Sequence, residues 1–357
     1  MRTARPIAAG AGLFVLLALL TFALPIKEWR TGELAAPPLP VVEGGPPITL
    51  ARRVWVDTDA ACGAGRTTDP DDCYAILLLA RSPGVELVGI STVAGNAPLP
   101  ETDRITRELM ARVALEAETS VPVHRGGPAA AAALRRALAV GPLTLVALGP
   151  FTNLATALGG EPALRANVAR LVAVMGRRPG HLFHPAEGQG KGGILFGHGP
   201  VFSDFNFEQD QAAAIRVLGM QPPTTLVPYD AARQLMITES DVARLREAGG
   251  AAAWVAEQST GWVDYWEGDI GLPGFYPFDL LAGAYVLAPE LFDCAPADAA
   301  IARDLRLWGQ LWGPWAVLVH RKGVRPVNAA ARGPVVYCER VSSELHRWLM
   351  AQLARSK

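Results

Sequence analysis

The residue pattern predicts an α/β fold with a mainly parallel sheet flanked by helices, preceded by an N-terminal apolar segment. Three observations carry that expectation. Short β-branched apolar runs alternate with stretches of helical periodicity along most of the chain, the order that builds parallel sheets through crossover connections. The polar residues that interrupt the apolar pattern fall just after the expected strands, at the sheet edge where open α/β proteins bind ligands. The 357 residues, 50% of them hydrophobic, suffice for one large domain with a full core plus an appendage.

The appendage comes first. From Ile7 to Ile26 the chain carries no charge, and Arg2 and Arg5 precede this run. About twenty apolar residues span a bilayer as a helix, and the leading arginines suit a cytoplasmic flank. Thr21-Phe22-Ala23 is also a passable cleavage site, so residues 1–30 are read as a signal-anchor or a signal peptide. Lys27, Trp29 and Arg30 favour the uncleaved anchor. The folded part is then expected on the exported side, periplasmic or extracellular, held to the membrane by the helix or secreted after cleavage. Residues 31–49, rich in Pro, Gly and Ala, read as a linker, and 50–357 as a single domain. A net charge of −1 with no basic stripe gives no support for a nucleic-acid partner.

The elements follow in order. Residues 54–56 form an alternating β-branched strand that runs into Asp57-Thr58-Asp59, and Asp71-Asp72 opens a helix over 71–80. A strand over 85–93 ends at Ala94-Gly95-Asn96, with a helix over 100–115 after it. A short strand at 121–123 precedes an Ala-rich helix over 129–139, and a strand over 143–148 runs into Gly149-Pro150-Phe151-Thr152-Asn153. The strand 171–175 is followed by a long Gly- and His-containing loop, then by a helix over 209–218 and a strand over 225–227. Helices are expected within 239–265 and over 278–286, then a few strands and a terminal helix over 342–353. In 202–207, alternation is expected to set Asp204 and Asn206 on one face, opposite Phe205 and Phe207.

A strand end and a helix start thus present three or four carboxylates to one crevice. Such a cluster repels itself unless a cation compensates it, and Ca²⁺ or Mg²⁺ takes oxygen ligands of this kind. Helix capping accounts for Asp71 or Asp72 but not for Asp59, which ends an apolar strand. Four cysteines in an exported chain are candidates for bridges. Cys62 and Cys73 bracket the loop between the acidic motifs, while Cys294 and Cys338 fall in the C-terminal strand region. No cysteine spacing fits a zinc site.

These motifs together resemble the nucleoside hydrolase family of the inosine–uridine-preferring type. The similarity runs from about Arg53 to Leu353, through Asp57-Thr58-Asp59 with Asp71-Asp72, Thr92-Val93-Ala94-Gly95-Asn96, Gly149 to Asn153, Asp204-Phe205-Asn206 and Asp279-Leu280-Leu281-Ala282. The resemblance implies a Ca²⁺ held by Asp59, Asp72, the main-chain carbonyl of Leu148 and Asp279. It assigns the ribose hydroxyls to Asp71, Asp204, Asn206 and Asp279, with Asn96 beside them. It implies hydrolysis of the N-glycosidic bond of a ribonucleoside or related ribosyl compound, with Asp59 taking the proton of a water that the metal activates. Carboxylates around the ring would stabilise an oxocarbenium-like transition state. Relatives commonly form dimers or tetramers, which makes a homo-oligomer an expectation by analogy.

Four departures mark this chain. The turn between Asp59 and Asp71 is longer than the family's and carries Arg66. Phe278 stands before Asp279, where purine-cleaving members have a histidine that protonates the leaving base. The stretch after His124-Arg125-Gly126-Gly127 is Ala-rich and lacks the family's lid. The loop 176–201 is expanded and holds His181, His184 and His198, any of which could replace the missing acid, with Tyr265 and Arg66 next in line. A ribosyl-binding or sensor protein that keeps the metal site is the alternative. A phosphatase using Asp57 and Asp59 is disfavoured, since Gly176-Arg177-Arg178 follows the strand where a further acidic pair is needed.

Overall fold

The computed structural model describes residues 50–117, 120–179, 204–304, 315–323 and 329–355. β1 (Arg53–Thr58) leads into α1 (Asp71–Arg81), β2 (Glu86–Thr92) into α2 (Leu99–Ala117), β3 (Val123–His124) into α3 (Pro128–Val140), and β4 (Leu143–Ala147) into α4 (Thr152–Gly160). β5 (Val168–Ala173), α5 (Phe205–Gln209), α6 (Gln211–Gly219) and β6 (Thr224–Leu226) complete this first part. The six strands are parallel in the order β3-β2-β1-β4-β5-β6. The chain builds outward from β1 to β3, then returns to place β4 on the other side of β1. That reversal opens a crevice beyond the carboxyl ends of β1 and β4, the position such sheets use for ligands.

The second part begins with α7 (Tyr229–Ala232), β7 (Ile237–Thr238), α8 (Glu239–Ala248), α9 (Gly250–Gln258) and α10 (Thr260–Tyr265). A π-helical turn (Trp266–Ile270), β8 (Gly274–Phe275) and α11 (Phe278–Leu287) come next. β9 (Phe292–Arg303), β10 (Trp315–Arg321), β11 (Ala331–Val341) and α12 (Leu345–Leu353) close the chain. β11 continues the sheet parallel to β6, while β9 and β10 are added antiparallel. Beyond the end of β5 the backbone of Arg177 meets β10: its N–H donates to Val317 O at 2.9 Å, and its carbonyl accepts from Val319 N–H at 2.8 Å.

Alternation along β1 explains the layering. Val54 and Val56 enter one core and Trp55 the opposite one, as strands covered on both faces require. α1 and α11 are buried on nearly every side, which suits helices apolar almost all round. They lie against each other so closely that a β-carbon on Gly283 would stand 3.5 Å from Ala75. Both carry acids in the first turn, so their packing sets Asp71, Asp72 and Asp279 side by side. The region 239–265 is broken into three helices, with Gly249 and Gly250 at φ +78° and +60° between the first two. The cysteines form Cys62–Cys73 and Cys294–Cys338 bridges, as befits an oxidising compartment.

Two expectations are corrected. Residues 204–207 do not alternate as a strand: Asp204 precedes α5, which sets Phe205 outward and buries Asn206 and Phe207. Four residues fit a strand and a helical turn equally well, so the local pattern could not decide. The membrane anchor also falls: among the described residues no helix is long and apolar enough to cross a membrane. The most apolar helix among the described residues, α11, has 10 residues, roughly 15 Å or half a hydrocarbon core. The segment 1–30 on which the anchor rested, and the linker 31–49, lie outside the described residues.

Candidate functional site

β1 delivers two acids to the crevice in different settings. Asp57 is tied down: Ser91 Oγ and Asn153 Nδ2 both donate to its Oδ1, the latter at 2.8 Å. Burial pushes its carboxyl up to about 7 against those bonds. Asp59 accepts the Asn96 N–H on Oδ2 at 2.8 Å and, among the described residues, has no partner for the buried Oδ1. Two glycines make room for it. A β-carbon on Gly95 would overlap the Asp59 carboxylate, and one on Gly149 would stand 2.9 Å from Asp59 Oδ1. The glycines of the Thr-Val-x-Gly-Asn and Gly-x-x-Thr-Asn elements are thus needed for the acid's approach.

α1 and α11 supply the other carboxylates. Asp71, Asp72 and Asp279 are buried, and each offers an oxygen within 4.8 Å of the others. Asp71 Oδ2 accepts the Asp279 N–H at 2.7 Å, which locks the two helix starts together. Thr58 Oγ1 donates to Asp72 Oδ1, and Asn96 Nδ2 donates to Asp72 Oδ2 at 3.3 Å. Asn96 therefore spans Asp59 and Asp72. Burial, then the Asp71 charge, holds the Asp72 carboxyl up at about 7. Burial raises Asp59 well above the usual carboxylate range, with Asp72 adding to it, and raises Asp279 likewise, with Asp71 and Asp72 adding.

A sixth acid joins them that sequence reasoning passed over. Asp69 Oδ1 accepts the Asp71 N–H at 3.1 Å. Burial and the Asp71 charge raise the Asp69 carboxyl, although part of the residue still faces solvent. The run Asp69-Pro70-Asp71-Asp72 was the available signal, with its third acid two residues before the helix. Asn153 was also missed as a site-building residue. Besides holding Asp57, it donates to Thr92 O at 3.0 Å and accepts from Gly127 N–H at 3.0 Å.

Leu148 and Asn206 meet at the ends of β4 and β5. Asn206 Nδ2 donates to Leu148 O at 2.6 Å and to Val174 O at 3.1 Å. A carbonyl has two lone pairs, so Leu148 O keeps one for a further ligand. Asp204 Oδ2 accepts the Gly176 N–H at 2.7 Å, and Oδ1 has no partner among the described residues. Burial pushes this carboxyl up to about 7.

Beyond the acids stands an aromatic array. Phe278 stacks with Tyr229, which meets Tyr276; Tyr276 meets Trp266, and Trp266 meets Trp262, which stacks with Tyr265. The enlarged turn reaches the far end of it, with the Arg66 guanidinium 5.7 Å from the Tyr265 ring centre and 2.6 Å from Asp269. His181, His184 and His198 lie outside the described residues.

The donor set fits a hard cation. It consists of oxygens, it is buried, and Asp59 Oδ1 and Asp279 Oδ1 are both without hydrogen bonds among the described residues. Carboxylates this close and dry resist ionising together unless a positive charge joins them. Asp59 is not one of the three acids whose oxygens lie within 4.8 Å of each other; Asp71 is.

Comparison with known proteins bears on the family and the fold. A family model described as inosine-uridine preferring nucleoside hydrolase matches residues 54–140 and 127–329. The pyrimidine-specific ribonucleoside hydrolase RihB of Escherichia coli is 26% identical over 218 residues, 51% of this chain and 63% of RihB. The RihB of Shigella sonnei matches to the same extent. The chain therefore spans slightly under two thirds of the length of these curated relatives. Among solved structures, a plant nucleoside hydrolase aligns with a TM-score of 0.66 at 19% identity, over 85% of this chain and 98% of that one. A purine-preferring ribonucleoside hydrolase from Gardnerella vaginalis gives 0.63 and 19%, over 85% and 98%. At such identities these structures speak for the fold. The family model spans most of the described domain, and the chain belongs to the inosine-uridine preferring nucleoside hydrolase family.

Proposed function

We propose that the protein hydrolyses the N-glycosidic bond of a ribonucleoside in a Ca²⁺-dependent reaction. The observation that carries this reading is the buried oxygen-only cluster at the sheet's switch point, with Asp59 Oδ1 and Asp279 Oδ1 unpartnered among the described residues. Asp59, Asp72, Asp279 and the Leu148 carbonyl would hold the ion. Asp71, Asn96, Asp204 and Asn206, with Asp279, would hold the ribose hydroxyls. A bound Ca²⁺ supplies positive charge that makes a neighbouring water easier to deprotonate.

The residues do the rest. The Asn96 N–H fixes Asp59 through Oδ2, which leaves Oδ1 to take the proton of the attacking water. Asp71 is oriented by its bond to the Asp279 N–H, so its carboxylate keeps a fixed direction toward the sugar. The water oxygen bonds to the anomeric carbon as the bond to the base breaks, and nearby carboxylates offset the positive charge that develops on the ring. Asp57, bound by Ser91 and Asn153, supports the end of β1.

The test is a riboside panel assayed with and without chelator, alongside metal analysis. Stoichiometric calcium and turnover abolished by chelation are expected. Asp72→Ala should lose both metal and activity, while Asp59→Asn should lower kcat by about 10²–10⁴. Full activity in metal-free protein would overturn the reading.

A further inference from the structure

Hydrolysis at this site also makes a demand on the leaving-group side, where Phe278 stands. As the glycosidic bond breaks, its electron pair passes to the base, and in a base with a conjugated ring carbonyl that charge spreads onto the oxygen. Phe278, next to Asp279, has no proton to give and no charge to offer. We propose that Arg66 is the specificity-determining residue on the leaving-group side, taking the ring carbonyl oxygen of a base such as uracil or hypoxanthine, an assignment that rests on the hydrolase reading above.

The enlarged turn is built to hold Arg66 in place. Its start is tied to α1 by Cys62–Cys73, one residue beyond Asp72. Its middle lies on α9 and α10: a β-carbon on Gly63 would overlap Gln258, and one on Gly261 would stand 3.1 Å from Arg66 Cα. Its end is Asp69, whose Oδ1 accepts the Asp71 N–H at 3.1 Å. Asp69 is three residues from Arg66, so the two Cα atoms lie within roughly 11 Å. The side chain then reaches over Tyr265 and pairs with Asp269 in the π-helical turn.

Two features make this a recognition element and not only a brace. The Arg66 side chain remains 56% exposed despite its ion pair, so the guanidinium keeps donors for a further acceptor. It also stands at one end of the aromatic array whose other end is Phe278. A planar guanidinium donates in its own plane to a carbonyl oxygen. π-helical turns often occur at functional sites. Arg233, over Tyr229 at 5.7 Å, is the cation at the Phe278 end and serves as the comparison.

The experiment measures kcat/KM for uridine, inosine and p-nitrophenyl riboside in the full chain with calcium, for wild type, Arg66→Ala, Arg66→Lys, Asp269→Asn and Arg233→Ala. p-Nitrophenolate leaves readily, so it serves as the reference. Arg66→Ala should lower the uridine or inosine rate relative to that reference by about tenfold or more, the loss expected for a charged hydrogen bond. Arg66→Lys keeps the charge without the fork and should fall between. Inhibition by free uracil or hypoxanthine should weaken in Arg66→Ala more than inhibition by ribose. The melting temperature should stay near wild type, since an exposed pair contributes little to stability. A ratio within twofold of wild type, an equal loss on all substrates with a lowered melting temperature, or the effect appearing in Arg233→Ala instead would overturn the proposal. Wild-type turnover decides the hydrolase reading separately: if no riboside is cleaved, that reading fails and this one with it.

Discussion

The Asp59 carboxylate fits its place only because Gly95 and Gly149 have no β-carbon. Gly95→Ala must push the acid from its bond to the Asn96 N–H, and a displacement near 1 Å at a reacting group costs about 10² in rate. The expected outcome is a kcat loss of that size with calcium saturating, read by steady-state kinetics. Asp204 gives a test by pH. Burial holds its carboxyl up at about 7, above an unfolded value of about 3.9. The folded state therefore keeps this proton longer, and its stability falls as pH rises from about 4 to about 7. Asp204→Asn should remove that part of the slope, worth on the order of a few kcal/mol. Melting curves across roughly pH 4–8 would show the two proteins diverging most at the alkaline end. Most of the acids that the fold gathers in the crevice stood out as candidates by residue type and spacing. Asp69 did not, because an acid before a proline reads as ordinary turn chemistry.

At the scale of elements, the site is a junction of two helix starts and two strand ends. α1 and α11 are buried on nearly all sides, so neither can rotate without exposing core, and their first turns hold Asp71, Asp72 and Asp279 in fixed relation. Leu281→Ala, inside α11, should cost about 2–5 kcal/mol. Metal affinity should fall with stability, measured by denaturation with and without calcium, since the same packing sets both. The helices themselves were readable from their periodicity. Their adjacency was not: Asp71 and Asp279 are 208 positions apart in the chain, and no local pattern senses a contact over such a distance. The same limit hid the bonds of Asn206 to Leu148 O and Val174 O, which depend on β4 and β5 being neighbours.

For the molecule as a whole, two bridges restrain the chain at different ranges. Cys62–Cys73 closes a separation of 11 residues and Cys294–Cys338 one of 44, which in the chain-entropy account contribute about 3 and about 4 kcal/mol. Cys294→Ser with Cys338→Ser should therefore lower the melting temperature at least as much as Cys62→Ser with Cys73→Ser. Only the second pair should also weaken calcium binding, since its bridge adjoins Asp72; calorimetry with and without calcium reads both effects. The fold class was legible in the alternation of strand and helix. The strand order was not, because a β-branched run shows that a strand exists without showing which strand lies beside it. The backbone contact of Arg177 with β10 bears on how this sheet meets other chains. An outer strand normally offers a row of free backbone groups on which another chain could pair. Here Val317 O and Val319 N–H are engaged by Arg177 of the same chain, so part of that border is closed to recruitment. A border covered in this way is a poorer template for edge-to-edge pairing.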